Sequence, residues 1–183
     1  MSTARELSTE AMRPATDADV EALVALVQLA YRGDAASRRW TSEAELVTGQ
    51  RVDATMLDEA IERSDTLVLV HEREGALIAC CELRTMGKGT VELGMFAVDP
   101  ARQAAGLGRR VLTAAEQTAS SLLGARRIRL SVIDARHELI EWYERRGYHR
   151  TGETRPFPYG DERFGTPVRD DLRFELLEKV LPA

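Results

Sequence analysis

The chain has 183 residues, enough for one folded domain with its own core, and its 44% apolar and 30% charged residues are ordinary for a globular protein. This composition excludes a disordered chain. The formal net charge of -5, from 30 acidic and 25 basic side chains, leaves no basic field to hold a nucleic-acid backbone, so nucleic acid is not expected as a ligand.

The first half of the chain predicts helices followed by an antiparallel meander. Residues 16–31 begin with a threonine that can cap a helix and two acids in its first turn, and their apolar residues recur at helical spacing. Residues 34–63 are charged and helix-prone, and they predict two short helices. Three strands separated by glycine-containing turns are predicted next, over residues 66–71, 76–84 and 90–99.

The second half of the chain alternates between helix and strand. The pattern predicts a helix over residues 107–123, a strand over 127–134, a helix over 138–146 and a final strand over 168–181. A strand, helix, strand order implies a parallel pair within the sheet. We find no second domain or repeat, so residues 1–183 are expected to form one domain, with residues 1–11 as a loose N-terminal extension.

Several features favour a cytoplasmic protein without metal or membrane anchor. Residues 1–12 carry acids and polar residues where a secretory signal needs a continuous apolar stretch. Cys80 and Cys81 are neighbours on a predicted strand, where they point to opposite faces, and they lack the spacing and nearby histidine of a zinc site. The longest apolar-rich stretch, residues 22–31, is well short of the ~20 residues of a membrane span.

The most informative stretch is the turn between the third strand and the helix that follows it, residues 103–110, which reads Gln-Ala-Ala-Gly-Leu-Gly-Arg-Arg. A strand that leads through such a turn into a helix presents several backbone N–H groups, with the positive end of the helix dipole behind them. Gly106 and Gly108 carry no side chain that would keep a diphosphate away, and Arg102, Arg109 and Arg110 can supply charge. The turn therefore predicts a phosphate-binding site.

The residues alone do not fix which phosphate ligand binds there. A P-loop needs Gly-Lys-Ser/Thr after the turn, and the sequence Arg109-Arg110-Val111 excludes it. A dinucleotide-dependent oxidoreductase stays open as a remote alternative, because Asp134 ends the next strand about where a ribose-binding acid would lie. Against it, Val111 occupies the third glycine position, and the unit follows an antiparallel meander.

The same turn resembles the cofactor motif of the GNAT superfamily of N-acetyltransferases, Gln/Arg-x-x-Gly-x-Gly/Ala, which Gln103, Gly106 and Gly108 match at every fixed position. The preceding Phe-Ala-Val-Asp-Pro at 96–100, and the later Tyr-Glu-x-x-Gly-Tyr at 143–148, also resemble the family. The resemblance implies an α/β (α+β) fold whose mixed, mostly antiparallel sheet has six to seven strands, helices on both faces and a parallel pair splayed at the cofactor site. It also implies acetyl-CoA as cofactor, coenzyme A as co-product and no metal.

The resemblance assigns contacts to the cofactor residue by residue. The backbone of Phe96 and Val98, with Ala97 between them, would pair with the pantetheine arm, as an added strand does at a sheet edge. Tyr143 would lie beside the cofactor sulfur. Arg136 departs from the pattern, because the family often has an asparagine seven residues before that tyrosine. The pyrophosphate would be held by Gln103, Ala104, Ala105, Gly106, Leu107, Gly108 and Arg109.

The expected reaction is direct attack of a primary amine on the acetyl thioester, which requires a base, a proton donor for the departing thiolate and stabilisation of the oxyanion. The resemblance implies Glu92 as the base, six residues before Val98, with Glu82 in reserve. A period of two places Glu92 on the same side of the strand as Phe96 unless a bulge intervenes. Tyr143 would be the general acid, and a backbone N–H near Phe96 would meet the oxyanion.

Less specific interpretations stay open. A tyrosine beside Leu139 and Trp142 on a helix face is also what a core residue looks like, and Glu92 also fits a strand acid that pairs with an arginine. For the whole chain, the alternative to an acetyltransferase is a non-catalytic acyl-CoA-binding or regulatory module on the same fold.

The acceptor side is predicted around residues 156–169, a loop rich in proline and aromatic residues. The resemblance implies that this loop borders the acceptor cleft, and it assigns five residues to that side. The acceptor is expected to be a small-molecule or peptide amine, with the chain a monomer or homodimer. Acids such as Glu82 and Glu92 suit a cationic amine whereas arginines suit one with a carboxylate, so its identity stays open. The assigned residues are Tyr31, Arg32, Trp40, Phe157 and Tyr159.

Overall fold

The computed structural model describes residues 11–33 and 42–182, which form nine strands and four α-helices. The strands are β1 (Arg13–Pro14), β2 (Val47–Thr48), β3 (Thr66–Arg73), β4 (Ala76–Gly87), β5 (Thr90–Val98), β6 (Arg127–Ile133), β7 (His149–Pro156), β8 (Thr166–Pro167) and β9 (Arg173–Val180). The helices are α1 (Val20–Arg32), α2 (Ala54–Glu62), α3 (Leu107–Ser121) and α4 (His137–Glu144).

Seven of these strands form one twisted layer in the order β1-β3-β4-β5-β6-β9-β7, and β2 pairs with β8 in a small second sheet. The main sheet is antiparallel except for β5 and β6, which run parallel. The predicted mixed sheet with a parallel pair is therefore confirmed. Because it is not a doubly wound parallel sheet, the fold does not support the dinucleotide alternative.

The helices cover both faces of the sheet, as predicted. On one face, α3 and α4 pack against β5 and β6 through an apolar cluster that includes Val111, Leu112, Leu93 and Ile140. On the other face, α1 and α2 pack against β3, β4 and β5 through a cluster that includes Leu23, Val27 and Leu57. We call these the α3 face and the α1 face.

A bulge in β5 separates the parallel pair. β5 and β6 are in register only from Thr90 opposite Arg127 to Leu93 opposite Leu130, and the register of β4 with β5 shifts just beyond. Met95 adopts a left-handed φ of 46°, so one extra residue is accommodated there. The alternation expected for β5 is consequently wrong: Phe96 lies on the α3 face, whereas Met95 and Ala97 lie on the α1 face.

Two strands of the main sheet, β1 and β7, were not among the individually predicted elements. Two further stretches differ from the sequence-based expectation. Of the two helices predicted over residues 34–63, α2 is present, and Val47–Thr48 forms a strand instead of helix. The stretch expected to be irregular begins within β7 and contains β8, whose partner β2 lies more than a hundred residues earlier. A two-residue strand has too little pattern to be recognised without its partner.

Within the described residues, no helix is long and apolar enough to cross a membrane. The same part of the chain contains no group of three or more His, Cys, Asp or Glu side chains that could hold a metal ion.

Candidate functional site

The predicted phosphate turn forms at the start of α3. Asp99 accepts a hydrogen bond from the N–H of Ala101, which begins a 3₁₀ turn over Pro100–Ala105. Gly106 then adopts a φ of 70°, a left-handed conformation that favours glycine, and caps α3 without a side-chain bond. The N–H groups of the first helical turn therefore face outward without a side-chain cap. Ala104 and Ala105 lie in the 3₁₀ turn, but their side chains lie outside the described part of the structure.

The edge of β5 beyond its bulge faces the gap between the parallel strands. Asp99 donates its N–H to the carbonyl of Ile78 on β4, so alternation directs the backbone groups of Val98 and Phe96 to the opposite edge. There the Phe96 carbonyl accepts a hydrogen bond from the Tyr31 hydroxyl at 2.8 Å, and the Val98 carbonyl accepts one from the Gln103 amide at 3.1 Å. This edge is where the resemblance places the pantetheine arm.

A cavity of about 520 Å³ extends through this gap toward the α1 face. It brings together Tyr143 of α4, Phe96 at the bulge and the predicted base Glu92. Tyr31 and Arg32 of the predicted acceptor side also line it. Residues 103–109 do not line it, so among the described residues the phosphate turn lies outside the cavity.

The acceptor-side loop contributes only part of what was predicted. Phe157 is buried and lines the cavity, where its ring lies 5.7 Å from that of Phe174. Tyr159 does not line the cavity: its hydroxyl donates to the Arg169 carbonyl and accepts the N–H of Leu172, so it braces the loop. Trp40, the remaining predicted acceptor residue, lies outside the described residues.

Tyr143 is buried in an aromatic cluster beside the cavity. Its ring meets those of Trp142 at 5.0 Å and Tyr148 at 5.4 Å edge to face, and that of Phe96 at 6.4 Å. No described residue accepts a hydrogen bond from its hydroxyl. Burial raises the pKa of Tyr143 well above its usual range, so the phenol is protonated at any ordinary pH.

Glu92 is held by two arginines. Arg84 donates to one of its carboxylate oxygens at 2.5 Å, and Arg155 donates to the other at 2.7 Å. Burial alone would raise the pKa of Glu92, but the hydrogen bonds from Arg155 and Arg84 outweigh it, and the net shift is downward. The interpretation of Glu92 as a strand acid paired with arginine therefore fits its surroundings directly.

Glu82 has the opposite environment. It lies opposite Gly94 on β5, and its carboxylate approaches to 3.9 Å of the position that a Gly94 side chain would take. It forms no hydrogen bond or close ion pair with a described residue, and burial raises its pKa in spite of the more distant Arg84 and Arg51. A cavity-lining carboxylate with a raised pKa is suited to accept a proton.

Arg136, where the family often has asparagine, lies on the cavity wall. Its guanidinium is 3.5 Å from one carboxylate oxygen of Glu43, whose other oxygen accepts a hydrogen bond from Arg32 at 2.8 Å. Glu43 also donates its backbone N–H to the Tyr31 carbonyl, so this triad links the end of α1 to the start of α4.

Sequence analysis missed Glu43, Arg51, Arg84 and Arg155 as cavity residues. They come from four separate segments, and no local motif marks them. Only Arg84 carried a usable signal, because the antiparallel register across the turn at Lys88-Gly89 places it opposite Glu92.

Comparison with known families decides the assignment. The family model described as "Acetyltransferase (GNAT) family" matches residues 31–148, which is more than half of the chain. The chain belongs to the GNAT acetyltransferase family. No curated protein sequence matches it significantly.

Solved structures show how widely the GNAT fold of this chain is shared. The ribosomal-protein-S18-alanine N-acetyltransferase of Escherichia coli aligns with a TM-score of 0.68 and 17% identity, over 94% of each chain. An aminoglycoside 6'-acetyltransferase of type Ii gives 0.65 and 18%, over 94% of this chain and 98% of the other. A variant of spermidine N-acetyltransferase from Vibrio cholerae gives 0.64 and 14%, over 92% and 94%. At these identities the likeness concerns the fold.

Proposed function

We propose that this GNAT protein transfers the acetyl group of acetyl-CoA to a primary amine by direct attack of the amine on the thioester. The single observation that carries the proposal is the cavity through the split in the sheet. It joins Tyr143 and the bulge of β5, on the cofactor side, to a cluster of ionisable groups on the α1 face. Two substrates can therefore meet in line from opposite faces.

The residues present fit coenzyme A. The glycine-capped start of α3 suits a diphosphate, because its first N–H groups have no side-chain cap and the dipole favours an anion. The edge of β5 from Phe96 to Val98 suits the amides of a pantetheine arm. When bound, acetyl-CoA supplies an acetyl thioester at the split.

Glu82 is the better base on this geometry. An alkylammonium with a pKa near 10 is mostly charged at neutral pH, so a neighbouring carboxylate helps by taking its proton. Both oxygens of Glu92 already accept hydrogen bonds from arginine, whereas Glu82 has no such partner among the described residues. Glu92 instead positions Arg84 and Arg155.

Tyr143 is proposed as the proton donor. Glu82 would take one proton from the ammonium group and pass it to solvent. As the carbon–nitrogen bond forms and the carbon–sulfur bond breaks, the Tyr143 hydroxyl would protonate the sulfur, and the second proton lost by the nitrogen would restore the phenol through water. A backbone N–H near Phe96 would donate to the carbonyl oxygen as charge develops there. Because burial raises the pKa of Tyr143, its hydroxyl carries the proton that the sulfur would take.

The test is an amine screen that measures released thiol with acetyl-CoA, combined with calorimetric binding of coenzyme A. We expect micromolar binding or tighter and turnover with at least one amine. Coenzyme A binding without any turnover would instead support the non-catalytic module, and absence of binding would refute both.

A further inference from the structure

The cavity carries more positive than negative charge, although the chain as a whole has a net charge of -5. Five arginines and three glutamates are among the described residues that line it, and no lysine, aspartate or histidine joins them. The described lining of the cavity therefore has an excess of cationic groups. They are Arg32, Arg51, Arg84, Arg136 and Arg155, against Glu43, Glu82 and Glu92.

Two of the three acids are already shared between pairs of arginines. Glu43 lies between Arg32 and Arg136. Glu92 lies between Arg84 and Arg155, and takes one hydrogen bond from each. A guanidinium has several N–H donors in a planar fork, and most of those of Arg84 and Arg155 bind no other described residue, so they can serve another acceptor. Their side chains are 35% and 42% exposed, so an anion can reach them.

The phosphates of the cofactor do not account for this charge. In the turn that suits them, residues 103–109, no residue whose side chain is described lines the cavity. Leu83 and Leu93 belong to the cluster on the α3 face, so the alternating Arg84 and Glu92 point to the α1 face, away from α3. The cationic pair is therefore on the acceptor side of the sheet.

We infer that the acceptor is a small amino acid, an amine that carries a carboxylate a few bonds away, and that Arg84 and Arg155 bind this carboxylate. The inference rests on the proposed function, since it names the substrate class of the same cavity. The amine then lies at Glu82, which pairs with Gly94 one same-face step along the strands from the Arg84–Glu92 pair. Two residues along a strand are about 6–7 Å apart. A small amino acid bound between the Glu82 and Arg84 side chains can therefore place its amine at Glu82 and its carboxylate at Arg84 and Arg155.

Arginine pairs recognise carboxylates through parallel, charge-assisted hydrogen bonds. A polyamine would instead bring further positive charge into a cavity that already has an excess of it. The ambiguity between a cationic and a carboxylate-bearing acceptor is thereby resolved in favour of the carboxylate.

The test compares each of the common amino acids with its carboxamide and with spermidine as acetyl acceptors, with coenzyme A binding measured on the same protein. We expect kcat/KM for the best amino acid to exceed that for its carboxamide and for spermidine by about 10-fold or more. A carboxamide lowers the pKa of the neighbouring amine, so chemistry alone favours the amide. A preference for the acid therefore reports recognition of the carboxylate.

Arg155→Gln supplies the residue-level test. It should raise KM for the amino acid by about 10- to 100-fold while kcat/KM for the carboxamide changes little. Arg150→Gln is the matched control, because Arg150 lies on the same strand, is 44% exposed and also pairs with a glutamate, but is outside the cavity. It should leave both substrates unaffected.

The outcomes separate the two claims. Equal or better use of the carboxamide or of spermidine overturns the inference while the acetyltransferase proposal stands. Loss of the acid preference in Arg150→Gln as much as in Arg155→Gln also overturns it. Coenzyme A binding with no transfer to any acceptor refutes the proposed function, and the inference with it.

Discussion

The hydroxyl of Tyr31 donates a hydrogen bond to the carbonyl oxygen of Phe96 over 2.8 Å, and so fastens the end of α1 to the bulge of β5. The two residues are 65 positions apart in the chain. Burial raises the pKa of Tyr31 to about 12, so the hydroxyl remains a donor at any ordinary pH. The bond fixes the carbonyl at the edge where cofactor and acceptor are proposed to meet.

Replacing Tyr31 by Phe should therefore loosen the site as well as the fold. It leaves the Phe96 carbonyl without this donor, which costs about 1–3 kcal/mol for a buried acceptor. We expect a lower Tm and a fall in kcat/KM of about 10-fold, measured by thermal unfolding and the thiol-release assay.

Tyr148→Phe is the control for the Tyr31 variant. Tyr148 is also a buried tyrosine whose hydroxyl donates one hydrogen bond, to Glu116 at 3.0 Å, but it does not line the cavity. It should lose stability without a matching loss of kcat/KM. Equal kinetic losses in the two variants would show that Tyr31 has no particular role at the bulge.

Tyr143→Phe separates the chemical role of the hydroxyl from the packing role of the ring. The ring contacts with Phe96, Trp142 and Tyr148 are kept, and no described residue depends on the hydroxyl for a hydrogen bond. We expect kcat to fall by about 10²-fold or more, the range of general acid catalysis, with an unchanged Tm and an unchanged calorimetric Kd for coenzyme A. An unchanged kcat would remove Tyr143 from the mechanism and leave it as a core residue.

The turn and the start of α3, to which cofactor binding is assigned in the proposal, were largely predictable because their signals are local. Gln103, Gly106 and Gly108 lie within six residues, and the start of α3 follows from the same turn. The bulge of β5 could not be predicted, since the methionine at position 95 gives no sign of a left-handed φ. The bulge lies where the register of β4 with β5 shifts and where the pairing of β5 with β6 ends.

The acceptor side was predictable only in outline because its geometry comes from distant segments. Arg155 lies 63 residues from Glu92 in the chain, and its hydrogen bond occupies one carboxylate oxygen of that candidate base. β8 exists only because Thr166 and Pro167 lie against Thr48 and Val47. The sequence offers acids and arginines as candidates for the cavity, but only the register of the strands shows which of them are in contact.

Glu82→Gln should lower activity and raise stability at neutral pH. An acid whose pKa is raised in the folded state contributes stability below its unfolded pKa, and loses it as pH rises through the folded value. The variant should therefore have a higher Tm than the wild type at pH 7, with a smaller difference at pH 4.

The same substitution tests Glu82 as the proposed base. Glu82→Gln should lower kcat/KM by about 10²- to 10⁴-fold and remove the acidic limb of the pH–rate profile.

Glu92→Gln is the paired comparison, with the opposite sign for stability. An acid such as Glu92, whose pKa is lowered in the folded state, contributes stability above its unfolded-state pKa. It loses that contribution as pH falls through its folded-state pKa. This variant should have a lower Tm than the wild type at pH 7, and a smaller difference in acid. Should Glu92→Gln, rather than Glu82→Gln, abolish the acidic limb, the base would be Glu92 after all.

Gly165→Ala tests whether the acceptor-side loop must lie against β2. A methyl group at Gly165 would come within 2.5 Å of the Thr48 carbonyl oxygen and 2.9 Å of that of Gln50, and both are backbone atoms that cannot swing aside. Its φ of 89° adds strain for any side chain.

Gly160→Ala is the control, because Gly160 has a similar φ of 84° but nothing within 4 Å of the added methyl group. Gly160→Ala should lose about 1 kcal/mol because of its positive φ. Gly165 has in addition a ψ of -177°, a backbone conformation that is essentially restricted to glycine, so its backbone term alone should be about 1–3 kcal/mol. Gly165→Ala should lose more and also raise KM for the acceptor, because the loop that carries Phe157 to the cavity is displaced. Steady-state kinetics and urea unfolding of the two variants side by side would check this, and identical KM values would mean that the position of the loop does not shape the acceptor cavity.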